Sequence, residues 1–188
     1  MKKEITQELV KEFLDYNPET GVFTWKERDI KYFKESKKGG IKNFTPEWSQ
    51  KKWNTRYAGQ VAGCEKPDGY RIINIFKQRN YAHRLAWLYI YGEWPKQDID
   101  HIDGNPRNNR ISNLRDISRS LNGQNQKKAQ KRSKSGLLGA CWCPRDEVWV
   151  SQIFADGRRH FLGNFQDKYS AHEAYIQAKR RLHPGGTL

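Results

Sequence analysis

The stretch that decides the fold is Asp100-His101-Ile102-Asp103-Gly104-Asn105. Ile99 to Ile102 is short and β-branched, which predicts a strand, and Asp103-Gly104-Asn105-Pro106 is a dense turn signal that predicts a hairpin or Ω-like loop after it. A carboxylate and an imidazole therefore stand side by side where a strand gives way to a loop. Asn113-Leu114 and then Leu121-Asn122-Gly123-Gln124-Asn125 follow, so side-chain amides arrive from a later helix. Mg²⁺ prefers oxygen donors and keeps several waters, so one carboxylate and one amide oxygen suffice when phosphate and water complete the shell. A neutral imidazole near pH 7 can take a proton from water. Asp103 reads as part of the Gly104 turn, and Asn125 rivals Asn122 because both lie near one helical face.

Upstream, Pro67-Asp68-Gly69 signals a turn, Tyr70 to Phe76 a strand, and His83 to Tyr91 an apolar helix that stops at Gly92. At the N-terminus, Ile5, Leu9 and Phe13 recur every four residues behind Thr6 as N-cap, which predicts a helix over 6–15. A turn over 16–21 then leads into a strand from Val22 to Trp25, and Lys26 to Arg56 reads as a long basic loop. Downstream, Ser118 caps a helix expected from Arg119 to about Lys131, although Gly123 costs it about 1 kcal/mol relative to Ala. Ser133 to Ser135 reads as a linker. Leu137 to Cys143, Val148 to Phe154 and Arg158 to Leu162 are strand candidates, and Ser170 with Glu173 forms a capping box for a last helix bearing Ala174, Ala178 and Leu182 on one face.

The 188 residues include 35 Lys and Arg against 21 Asp and Glu, a formal charge of +14, which excludes an ordinary near-neutral domain and favours a polyanionic partner. No apolar run is long enough to span a bilayer, and the charged start has no signal-peptide pattern, so an intracellular, cytoplasmic protein with no membrane partner is expected. Only 36% of residues are hydrophobic while 13% are aromatic, which suits several small cores better than one large one. Cys64, Cys141 and Cys143 are too few for a four-thiolate zinc site, and no zinc is expected.

The segments His83-Arg84-Leu85, Asp100 to Asn105, Asn113-Leu114 and Asn122 to Asn125 together resemble the HNH, or ββα-metal, endonucleases of the phage and intron-borne homing type. Asn113 and Asn122 follow Asp100 by 13 and 22 residues, offsets that agree with that type. The resemblance implies a DNA endonuclease in which Asp100 and Asn122 hold one Mg²⁺ or Mn²⁺, His101 is the general base, and Asn113 braces the loop and helps orient the histidine. The third signature position is Asn in place of His, which leaves one negatively charged ligand and argues for one metal ion. His83 reads either as a packed structural residue or as a neighbour of the site. From Arg107 to Lys134 nine basic residues meet one acid, Asp116, so Arg110, Arg115, Arg119, Lys127 and Lys128 are expected at phosphates.

The last fifty residues are similar to the plant ethylene-response-factor DNA-binding domain. The similarity rests on Gly139-Ala140, Val148 to Ile153, Phe161 to Phe165 and the Ala-rich helix through Glu173-Ala174-Tyr175. It implies a sheet laid in the major groove, with alternation turning Trp149, Ser151 and Ile153 toward the helix and Val150, Gln152 and Phe154 toward DNA. Cys141, Cys143, Val150 and Phe154 stand where that family often has Arg, leaving Arg145, Gln152, Arg158 and Arg159 to reach DNA.

The expected fold is α+β in small modules: an N-terminal α/β region over 1–57, a ββα-metal nuclease core over 58–132, and a three-stranded antiparallel sheet packed on one helix over 133–188. The expected function is metal-dependent hydrolysis of double-stranded DNA, with a monomer nicking one strand and a dimer cutting two. The alternative is a non-catalytic DNA-binding regulator that retains the nuclease fold.

Overall fold

Helix α1 (Gln7–Phe13) begins where Thr6 takes an extended conformation and its hydroxyl accepts from the Leu9 amide at 3.3 Å. It buries Leu9, Val10 and Phe13 and leads directly into a hairpin of β1 (Leu14–Asn17) and β2 (Val22–Trp25). The structure, a computed structural model, describes residues 4–38, 42–130 and 132–183. The short strands β3 (Ser36–Lys38) and β4 (Lys42–Phe44) pair next, followed by helix α2 (Pro46–Tyr57). The basic loop expected over 26–56 is therefore helical from Pro46 onward, in a twelve-residue helix that runs to Tyr57. Its start is capped by Thr45, which accepts from Trp48 at 3.2 Å, with Pro46 in its first turn.

Strands β5 (Cys64–Glu65), β6 (Arg71–Ile75) and β7 (Gln78–Tyr81) form an antiparallel sheet in that order. Helix α3 (Ala82–Tyr91) follows and ends at Gly92, whose φ of 80° closes the helix in the left-handed region. Strand β8 (Asp98–His101) pairs with β9 (Leu114–Ile117), and Asn113 ends the short 3₁₀ turn just before β9. Ile5, Val10, Phe13, Leu14, Phe23, Ile73, Ile75, Leu85, Leu88, Ile99 and Leu114 form one core, so β8 and β9 each place an apolar residue in the same packing that holds α1 and α3.

Helix α4 (Arg119–Gln124) is capped by Ser118 but runs only six residues. Gly123 and Asn125 are poor helix formers and none of its residues is buried, so nothing extends it; Lys131, its expected end, lies outside the described residues. Strands β10 (Ala140–Cys143), β11 (Val148–Ala155) and β12 (Arg158–Phe165) make the antiparallel sheet, with a register shift between Ser151 and Gln152. Helix α5 (Lys168–Leu182) packs on this sheet. Its N-cap is Asp167, which accepts from the Tyr169 and Ser170 amides at 2.9 Å each, so the helix starts before the capping box expected at Ser170. Ser170 instead donates its hydroxyl to Asp167 Oδ2 at 2.6 Å.

The α+β class with small antiparallel sheets is thus the observed one. Among the described residues, contacts divide the chain into one unit of residues up to 101 together with 105–116, and a second of 102–104 together with residues from 117 onward. Helix α4 therefore groups with the C-terminal sheet and α5.

Candidate active site

Asp100 and His101 end β8 and are 7% and 4% exposed, unusual burial for two polar neighbours. Each side chain has an identifiable anchor. The Asp100 carboxylate receives two bonds on the same oxygen, Oδ2, from Arg115 of β9: Nε at 2.8 Å and Nη2 at 2.7 Å. The pairing of β8 with β9 brings that guanidinium to Asp100, and charge-assisted contacts of this length are among the stronger hydrogen bonds available.

His101 is held through Asn109. His101 Nε2 lies 3.2 Å from Asn109 Oδ1, and the Asn109 amide nitrogen is turned away, donating to the Arg107 carbonyl at 3.4 Å. An amide oxygen only accepts, so Nε2 carries the proton and the basic lone pair of the neutral ring falls on Nδ1. Asn109 is itself fixed: its backbone carbonyl accepts the Tyr16 hydroxyl at 2.7 Å, in a contact buried enough to push the phenol up to about 12. Asn113 donates to the Asn108 carbonyl at 2.8 Å and so spans the same loop. Arg107, at the loop's tip, donates to Glu65 at 2.8 Å, tying the loop to β5. Asp116, the one acid of the basic run, accepts from the amides of Lys96 and Gln97 at 2.7 and 2.9 Å and clamps the approach to β8.

Aromatic rings enclose the histidine. The Tyr70 and His83 rings meet His101 edge-on at 5.8 and 5.2 Å between centroids, and His83 stacks on Tyr81 at 5.3 Å. Burial pushes the His83 imidazole down to about 3, with the neighbouring His101 and Arg84 adding to the effect, so His83 is neutral at physiological pH. The unfolded chain takes up a proton at this residue below about pH 6.5, while the folded chain resists until about 3. Between those values the unfolded state holds more protons, and stability falls as pH falls. His83 alone should cost the fold about 2 kcal/mol between pH 7 and pH 5. Urea unfolding of wild type and His83→Phe at both pH values checks this: the wild type should lose more stability on acidification, and parallel losses would remove His83 as the cause.

The remaining expected site residues fall as follows. Arg110, Arg119, Lys127 and Lys128 are exposed, whereas Arg115 is on Asp100. Asn122 is half-buried in the last turn of α4 and Asn125 is the buried C-cap of that helix, both in the second unit. On the sheet, Gln152 shares an exposed face with Arg159, while Arg158 lies opposite the buried Ala155 at the hairpin end. Arg145 is exposed and bound to Asp146 at 2.9 and 3.1 Å. Asn109 and Tyr16 are the residues that sequence reasoning missed. Asn109 stands in Asn105-Pro106-Arg107-Asn108-Asn109, where three asparagines look alike until burial singles one out.

Asp100 offers a buried carboxylate, an oxygen donor of the kind that hard divalent ions prefer, while Asn122 lies in the second unit. Among the described residues no three or more His, Cys, Asp or Glu gather as a group that could hold a metal ion. No helix among them is long and apolar enough to cross a membrane.

Residues 80–124 match the HNH endonuclease family, a segment that runs from β7 through α4 and contains Asp100, His101, Asn113 and Asn122. Over 87 residues the chain is 38% identical to Protein 3.8 of Escherichia phage T7, an alignment covering 46% of this chain and 69% of that protein. No solved structure matches. With its buried Asp-His pair inside the matched segment and the phage relative aligned over most of its own length, the chain belongs to the HNH endonuclease family.

Proposed function

We propose that the chain is a metal-dependent DNA endonuclease of the homing type that hydrolyses phosphodiester bonds in double-stranded DNA. The observation that carries this reading is the preparation of His101. It is a buried imidazole whose Nε2 is committed to Asn109, so that Nδ1 is the basic atom, and it lies next to an anchored carboxylate within the HNH segment. His101 takes the proton of the attacking water at Nδ1, and Asn109, Tyr16 and the surrounding rings keep the imidazole in one orientation. Asn113 maintains the loop that carries Asn109.

Asp100 and Asn122 are the residues that would hold one Mg²⁺ or Mn²⁺, which would supply neutralisation of phosphate charge and stabilisation of the departing 3′ oxygen. Arg115 sets the direction of the Asp100 carboxylate through Oδ2. Arg110, Arg119, Lys127 and Lys128 contact phosphates, and the C-terminal module, whose sequence resembles an ethylene-response-factor domain, holds the enzyme on DNA with Arg145, Gln152, Arg158 and Arg159. One site cuts one strand, so a monomer nicks.

Conversion of supercoiled plasmid to nicked circle, with Mg²⁺ and with EDTA, tests the reading. Nicking only in the presence of metal is expected, and undiminished nicking in EDTA would overturn it. The ligand assignment has its own check: Asn122→Ala should need more Mg²⁺ for half-maximal nicking, and Asn125→Ala should shift that requirement less. The reverse order would transfer the ligand role to Asn125.

A further inference from the structure

The outer face of the C-terminal sheet carries two exposed rings that phosphate contacts alone do not use. Ser151, Ile153 and Ala155 of β11 are buried, and α5 packs on this sheet, which turns Val150, Gln152 and Phe154 to the opposite face. Across the ladder Phe154 is paired with Arg159, and Gln152 with Phe161. Directly opposed residues share a face, so these four side chains form a checkerboard, with the two phenyl rings on one diagonal and the guanidinium and amide on the other. Phe154 is 65% exposed and Phe161 64%, well above Trp48 at 46%, Trp142 at 40% and Phe76 at 39%. Two large apolar rings kept in water on adjacent strands lower solubility unless they meet a partner.

Charge selects the class of partner. The strands β10, β11 and β12 contain no Asp or Glu, and the acids of this hairpin region, Asp146, Glu147 and Asp156, sit in its turns. The face thus combines aromatic rings with Arg159 and Gln152 in a chain of net charge +14, which suits a polyanion that also offers apolar surface. A duplex groove offers base edges only, because the base faces are covered by their neighbours in the stack. An unpaired base offers its face, and aromatic side chains on a sheet are well suited to stack on it.

We propose that Phe154 and Phe161 form a stacking platform for unpaired bases of single-stranded DNA, with Arg159 at the backbone and Gln152 at a base edge. The choice of DNA rests on the nuclease reading above, whereas the platform itself is tested by binding without cleavage. Diagonal positions on adjacent strands are about 7 to 8 Å apart, so the two rings serve successive nucleotides of one extended strand.

The test uses the full chain in EDTA and fluorescence anisotropy with a labelled oligothymidylate of about 20 nucleotides, its abasic counterpart, and a duplex of the same length. Phe154→Ala and Phe161→Ala should each weaken oligothymidylate binding by about 5- to 100-fold. Duplex affinity should fall much less, Phe154→Tyr should retain binding, and the wild type should bind the abasic strand at least as weakly as the alanine variants bind oligothymidylate. Both rings are exposed, so circular dichroism should show the variants folded. Alanine variants that bind oligothymidylate like wild type overturn the proposal. Equal losses on single strand and duplex overturn it in favour of a duplex-binding face. A change of oligomeric state on sedimentation of the alanine variants overturns it in favour of a contact between two copies.

Discussion

Replacing His101 by Ala should reduce the nicking rate by about 10²- to 10⁴-fold while leaving DNA affinity in EDTA unchanged. The imidazole is the base in the proposed reaction and is buried, whereas Arg110, Arg119, Lys127 and Lys128, the proposed phosphate contacts, are exposed, so its loss removes proton transfer and leaves those side chains present. Asn109→Ala should give a smaller loss of the same kind, since the ring stays in place but its tautomer is no longer fixed through Nε2. Single-turnover nicking of plasmid by wild type and both variants, at saturating enzyme, reads these effects. A His101→Ala rate equal to wild type would falsify the base assignment, and an Asn109→Ala loss larger than that of His101→Ala would mean that Asn109 itself acts in the reaction.

Arg115→Ala should destabilise the fold by about 2 to 4 kcal/mol, because it leaves the Asp100 carboxylate buried without its cation. The side-chain exposures decide the size: Asp100 at 7% is nearly enclosed, while Arg115 at 26% still meets water, which keeps the cost toward the lower part of the range for buried pairs. Adding Asp100→Asn to Arg115→Ala should recover much of that loss, since a neutral amide is less costly to bury than a stranded carboxylate. Urea unfolding of the two single variants and the double variant forms the cycle. If Arg115→Ala stays within about 0.5 kcal/mol of wild type yet weakens DNA binding, the side chain serves phosphate contact and not Asp100.

These two residues also show what a sequence can convey about such a site. The Asp100-His101 dipeptide, Asn113 and the turn at Gly104 are local signals, and β8, the Asn108-spanning amide and the loop are found where those signals put them. Arg115 stands in a run of like cations and reads as one more phosphate contact; only strand pairing distinguishes it, and pairing is a non-local choice. Asn109 was hidden for a similar reason, since its role arises from Tyr16, 93 residues away in the chain. Helix α2 shows a different limit. It buries none of its residues and so has no apolar periodicity, and it is held partly by ring and cation contacts such as Arg28 over Trp53 at 3.8 Å. Its legible mark was the Thr45-Pro46-Glu47 start. The C-terminal module was the most legible region because its strands alternate and its turns carry Pro144, Asp156 and Gly157.

Within the second unit, Lys179 of α5 is 1% exposed and donates its ammonium group to the backbone carbonyl of Gln126, two residues beyond the end of α4. Burial, with Lys127 nearby, pushes that ammonium below the ordinary lysine range, yet it remains the tie that joins the last helix of the chain to the segment after Asn122. During synthesis this imposes an order of events. Gln126 leaves the ribosome 53 residues ahead of Lys179, which at ordinary elongation rates is about 3 to 10 s. Through that interval the residues up to Gln126 have been made but the fastening next to α4 is still lacking. A chain cut short by a frameshift or stalled before residue 179 therefore never acquires it, so that this tie makes the finished C-terminus a condition for the fully braced α4 segment.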